Sequence, residues 1–141
     1  MTDDATRIAT CQCGGLTVET KGEPELIPIC GCSYCRRRSG AVYGTGVYFN
    51  KDHVSVGAGE TKTFRRSSDA GRWFDCHFCT TCGTTLYWTM EIWPDRIGVP
   101  IGCLEGPPLP KPNVAVFTKH IPDWAAFDED ITAYEAARPT T

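Results

Sequence analysis

Seven of the nine cysteines in this 141-residue chain stand in three tight groups: Cys11 and Cys13, then Cys30, Cys32 and Cys35, then Cys79 and Cys82. Thiolates are preferred donors for tetrahedral zinc, which holds them at ~2.3 Å and so sets neighbouring sulfurs ~3.8 Å apart. A chelating Cys turn meets that spacing when the residue after its second Cys can take a positive φ. Glycine does this at little steric cost, and Gly14 and Gly83 stand in that position. The knuckles "CQCGG" (11–15) and "CTTCG" (79–83), far apart in sequence, are therefore expected to form a closed four-thiolate site. Such a structural zinc contributes folding free energy directly. Cys76 adds an alternative, because "CHFC" (76–79) is also a Cys-x-x-Cys; Gly83 favours the Cys79/Cys82 pair.

Cys30, Cys32 and Cys35 are then left as a set of three. Three protein ligands with a fourth position for water or a substrate atom is the arrangement of a catalytic zinc. The metal there polarises what it binds and stabilises its anionic form. A zinc with three thiolates is soft and carries a net charge near −1, so a thiol is a suitable fourth partner. Arg36, Arg37 and Arg38 follow at once and could offset the thiolate charge or hold a substrate carboxylate; some of the three are expected to be plain solvated surface. A three-ligand site holds metal less tightly than a four-ligand one, so partial occupancy of the second zinc is expected.

The rest of the composition narrows the field. Fourteen Lys+Arg stand against 17 Asp+Glu, a formal charge of −3. That balance gives no case for a nucleic-acid binder. No apolar run reaches the ~20 residues a membrane helix needs. "MTDDATRIAT" (1–10) is acidic and lacks the apolar segment of a secretory signal, so a cytoplasmic location is expected. In a reducing compartment, dense cysteine clusters indicate metal and not disulfides.

The elements that must position these ligands read as β-structure. Segments 16–20, 41–49, 53–56, 61–66, 72–78, 84–90, 96–101 and 113–117 are rich in β-branched and aromatic residues, with turn formers between them. "DEDITAYEAA" (128–137) has an acidic start and apolar residues at helical spacing, which predicts a short C-terminal helix. "GPPLPKP" (106–112) reads as an extended surface loop within one domain, residues 1–141. Of the histidines, His77 could serve as a ligand or as a donor behind one, His120 could approach the site if its segment folds back, and His53 reads as exposed. Tyr43, Tyr48, Phe49, Trp73, Tyr87, Trp88 and Trp93 read as core more than as a ligand cage.

In order and interval, "CQCGG", "CGCSYCRRRSG" (30–40) and "FCTTCGTTL" (78–86) resemble the glutathione-dependent formaldehyde-activating enzyme family, which also includes centromere-protein-V-like proteins. "IGCLEGP" (101–107) and "KHIPDWAAF" (119–127) support the match. The resemblance implies a β-tent fold, shared with methionine sulfoxide reductase B, and two zincs. Carried over, the structural ligands are Cys11, Cys13, Cys79 and Cys82, and the substrate-side ligands are Cys30, Cys32 and Cys35. The family often has histidine or another larger residue where this chain has Gly31, so a more flexible knuckle with one contact fewer is expected. Cys76 reads as a buried thiol or a fourth ligand to the second zinc, and Cys103 as a packed thiol.

Two functional classes follow. One is a zinc-dependent carbon–sulfur lyase acting on adducts of glutathione or a similar thiol, of the S-hydroxymethylglutathione type, with Arg36 as a candidate substrate-side residue. The other is a non-catalytic zinc-stabilised β-domain that binds a protein partner. Methionine sulfoxide reduction would need a placed nucleophilic cysteine, for which only Cys103 stands alone, and nothing around it supports the role.

Overall fold

Along a half-buried strand alternate side chains turn inward, and the first two strands obey this: Arg7 and Ala9 point in from one, Val18 and Thr20 from the next. The computed structural model describes residues 5–68 and 71–139. In chain order its strands are β1 (Thr6–Thr10), β2 (Thr17–Lys21), β3 (Pro28–Cys30), β4 (Gly44–Asn50), β5 (Val54–Val56) and β6 (Thr61–Ser67). They continue with β7 (Trp73–Cys79), β8 (Thr85–Met90), β9 (Arg96–Pro100), β10 (Leu104–Glu105), β11 (Val114–Val116) and β12 (Thr132–Ala133). One α-helix, α1 (Ser33–Ser39), lies between β3 and β4. The protein is mainly β.

The chain forms two compact units. The first comprises Met1–Glu25 with Val47–Leu109, the second Leu26–Gly46 with Pro110–Thr141. In the first, β10-β1-β2-β5 make a four-stranded sheet, and β9-β8-β7-β6 follow one another as antiparallel neighbours. Its core gathers Ala9, Leu16, Val18, Leu86 and Val99 with two of the expected ligands, Cys11 and Cys79. In the second unit β3 pairs parallel to β11 and antiparallel to the start of β4, and β12 adds parallel to β11. The proline-rich segment 106–112 is a loop, as expected, and the passage from one unit to the other falls inside it.

The helix expected over 128–137 is absent: the segment turns at 129–130 and carries the two-residue strand β12. Its amides are taken up by β11 and the residue before it, and its carbonyls at Tyr134 and Ala136 by the residues after β11. Thr132 N–H donates to Asn113 O at 3.0 Å and Tyr134 N–H to Ala115 O at 2.8 Å. Ten residues are too few to hold a helix without tertiary support, and here the tertiary partner offers a ladder.

Arg7, only 2% exposed, is a charged side chain on the inward face of β1. Its guanidinium donates to the carbonyls of Gly22 at 3.1 Å, Pro107 at 2.9 Å and Pro108 at 2.9 Å, and to Glu23 Oε2 at 3.1 Å. A buried cation is tolerated when its donors are satisfied this completely. The result pins the start of the proline-rich loop to the β1–β2 ribbon.

Candidate metal centre

The first cysteine group is built from two hairpin ends. Cys11 and Cys13 lie in the β1–β2 connection; Cys79 ends β7 and Cys82 lies in the β7–β8 connection. In both turns a left-handed glycine closes back on the carbonyl of the first cysteine, over three residues in one and four in the other. Gly14 N–H donates to Cys11 O at 3.0 Å with Gly14 at φ 82, and Gly83 N–H donates to Cys79 O at 2.9 Å with Gly83 at φ 79. Cys11 Sγ lies 3.6 Å from Cys13 Sγ, and Cys13 Sγ lies 3.7 Å from Cys79 Sγ. These are close to the ~3.8 Å of a tetrahedral tetrathiolate, and all four sulfurs fall within 4.8 Å of one another. Backbone amides point at the sulfurs, Leu16 N–H to Cys11 at 3.2 Å and Gly15 N–H to Cys13 at 3.4 Å, which favours the anionic form a metal needs.

Thr84, which lies inside the "FCTTCGTTL" motif but has no role assigned from the sequence, joins the two knuckles. Its hydroxyl oxygen accepts from the Gln12 N–H of the other turn at 3.1 Å and sits 3.3 Å from Cys82 Sγ. Hydrogen bonding from the Thr84 hydroxyl, then from its amide, brings the Cys82 thiol down to about 5. Cys13 goes the other way. Although the Gly15 amide pulls it down, hydrogen bonding to Cys11 and Cys79 pushes it up to about 11.

The second group lies wholly in the second unit. Cys30 ends β3, and Cys32 is the N-cap of α1, its sulfur accepting from Cys35 N–H at 3.4 Å. The three sulfurs of Cys30, Cys32 and Cys35 also fall within 4.8 Å of one another. Thiol donation from Cys30, then from Cys35, holds Cys32 far below the ordinary thiol range, while Cys30 is driven up, first by its hydrogen bond to Cys32. For Cys35 the hydrogen bond with Cys30 works downward, but its bond to Cys32 and burial outweigh it, with the charge of Arg38 opposing them. Three sulfurs sharing protons in this way release them when a cation binds, so metal affinity rises with pH.

Gly31 is not a flexible knuckle residue. A Cβ there would lie 2.5 Å from the Phe117 carbonyl oxygen and 2.6 Å from Ile121 Cγ1. Its peptide is gripped on both sides, the N–H donating to Val116 O at 3.0 Å and the carbonyl accepting from Arg36 Nε at 3.0 Å. Glycine is used here for close approach. The approaching segment turns at Phe117, whose φ of 53 is the one positive value at a non-glycine among the described residues. The C-terminal stretch thus does fold back on this group, through Phe117 and Ile121, while His120 is exposed.

Arg36 is placed to hold the ligand knuckle through Gly31, and Arg37 is exposed. Cys76 belongs to neither sulfur group; it is buried on β7 in register with Phe64 and Trp88. Cys79 therefore pairs with Cys82. Cys103 packs against the core that contains Cys11 and Cys79. His77 belongs to neither group either. Its ring stacks on Tyr87 with centroids 4.4 Å apart, and its nitrogens meet Thr63 Oγ1 at 3.1 Å and Thr89 Oγ1 at 3.3 Å. Of the aromatics, Tyr48, Phe49 and Trp88 are buried, while Trp93 is exposed.

The donor sets fit zinc by number, softness and spacing. Comparison with known proteins identifies the family. The crystal structure of a Rhodobacter sphaeroides protein is similar to this chain, with 26% identity, a TM-score of 0.53, and coverage of 72% of this chain and 90% of that one. The family model for the glutathione-dependent formaldehyde-activating enzyme matches residues 6–120. That span takes in both hairpin knuckles, the three-cysteine group and the turn at Phe117, so the chain belongs to the glutathione-dependent formaldehyde-activating enzyme family.

Proposed function

We propose that the protein is a zinc-dependent carbon–sulfur lyase that makes or breaks adducts of glutathione or a similar small thiol, of the S-hydroxymethylglutathione type. The observation that carries this reading is the division of seven cysteines into a group of four and a group of three. Cys11, Cys13, Cys79 and Cys82 would hold a structural zinc, since Cys11 and Cys79 are part of the first unit's core. Cys30, Cys32 and Cys35 would hold the second.

A zinc on three thiolates supplies Lewis acidity and stabilises a bound sulfur as thiolate. This chain's own part is positioning. The Gly31 peptide, clamped by Val116 O and Arg36 Nε, fixes the angle between Cys30 and Cys32. Helix α1 sets Cys35 one turn on from Cys32, so the ligands keep their geometry as the fourth partner comes and goes. Cysteines kept reduced for metal suit the cytoplasm. The whole chain serves as one zinc-binding domain in this reading.

Zinc content and glutathione titration of wild type and Cys32→Ser, purified without chelator, test it. Two zincs and glutathione binding in wild type, with one zinc and no binding in Cys32→Ser, is the expected result. One zinc in both proteins and no thiol binding would sink the lyase and leave a zinc-stabilised β-domain for protein binding.

A further inference from the structure

The three consecutive arginines after Cys35 are not equivalent once α1 is formed. On a helix, positions i and i+3 share a face while i+1 and i+2 do not. Arg38 is therefore the arginine on the Cys35 face. Arg36 is committed through its Nε to Gly31 O, and Arg37 is exposed.

The neighbouring strand confirms where the Arg38 guanidinium lies. A Cβ added to Gly44 would meet Arg38 Nη2 at 2.8 Å and Cys35 Cβ at 3.1 Å. Gly44 is also the register partner of Cys30. The guanidinium thus occupies space left open by a glycine, over a strand residue paired with one sulfur ligand and in contact with another. Arg38 and Cys35 also interact electrostatically.

A dication on three thiolates has a net charge near −1, and an incoming anion meets that charge unless a local cation offsets it. We infer that Arg38 is the charge-selecting residue of the three-cysteine centre, favouring a negatively charged partner over a neutral one of similar reactivity. This rests on the reading that the centre meets a small exogenous partner, and it specifies that partner as anionic, as a carboxylate-bearing thiol is.

The test uses full-length protein as purified and two reagents of one chemistry, anionic iodoacetate and neutral iodoacetamide. Alkylation rates at Cys30, Cys32 and Cys35 are read by peptide mass spectrometry at low salt. The ratio of the two rates cancels intrinsic sulfur nucleophilicity and reports local charge. In Arg38→Gln the iodoacetate-to-iodoacetamide ratio falls about three- to tenfold, while Arg38→Lys and Arg37→Gln stay near wild type. Added salt moves wild type toward Arg38→Gln. An unchanged ratio in Arg38→Gln, or an equal fall in Arg37→Gln, overturns the inference.

Zinc content and glutathione binding of the same wild-type sample separate the two readings. One zinc, no glutathione binding and an Arg38-dependent ratio would refute the lyase and keep the charge selector. Two zincs and glutathione binding with no Arg38 dependence would do the reverse.

Discussion

Replacing Gly31 by alanine adds one methyl group at the most crowded backbone position beside the three-cysteine group. The new Cβ would lie 2.5 Å from Phe117 O and 2.6 Å from Ile121 Cγ1, where ordinary contact begins at 3.4 Å. Relief requires the peptide or the Phe117 turn to move by about 0.9 Å, the difference between those contact distances. Ile121 can rotate away, but the carbonyl is backbone and cannot. A shift of that size would take the Gly31–Val116 hydrogen bond from 3.0 Å to beyond bonding range. Overpacking costs about 1–3 kcal/mol and the lost bond about 1 kcal/mol, so Gly31→Ala should destabilise the protein by about 2–4 kcal/mol.

The same shift displaces Cys30 or Cys32 by several times the ~0.2 Å that metal–ligand distances tolerate. Zinc at the three-cysteine group should weaken at least about tenfold, while the four-cysteine group is untouched. Urea unfolding and competition with a chromogenic chelator measure the two effects. Ile121→Ala in the same protein should recover only part of the loss, because the carbonyl contact remains. Wild-type stability with two zincs at wild-type affinity in Gly31→Ala would refute the close-approach account and restore a flexible knuckle.

Two further substitutions test the supports of the first unit. Thr84→Val removes the oxygen that receives the Gln12 amide and faces Cys82 Sγ; a loss of about 1–2 kcal/mol and roughly tenfold faster zinc release from the four-cysteine group are expected in a chelator-capture assay. Arg7→Met keeps the bulk but leaves three carbonyls without their donor and Glu23 without its cation. It should cost about 3 kcal/mol and lower Tm by about 10 °C, read by circular dichroism, with zinc content unchanged.

Much of the grouping of the cysteines was legible in the sequence because it is local. A chelating turn is settled by two cysteines and the glycine after them, and Gly14 and Gly83 take the left-handed conformation that their positions called for. Most of the longer strands announced themselves through β-branched and aromatic runs. β1 and the short strands β3, β10 and β12 did not, although the three-residue β5 and β11 fell inside expected segments; strands this short carry little period and are settled by the partner that pairs with them. For the same reason the acidic, helix-patterned segment 128–137 ends as a turn and a short strand: its preference for helix is weak, and β11 offers its backbone groups partners.

By itself, the sequence determined the three tight cysteine groups and a mainly β chain, because each depends on neighbours a few residues apart. Only the tertiary structure decided why position 31 is glycine, which arginine faces Cys35, that Thr84 ties one knuckle to the other, and that Cys76 stays out of both groups. Those outcomes depend on contacts between residues such as Gly31 and Phe117, Cys35 and Gly44, or Gln12 and Thr84. Such contacts exist only once the strands have paired, and no local pattern of residue types encodes them.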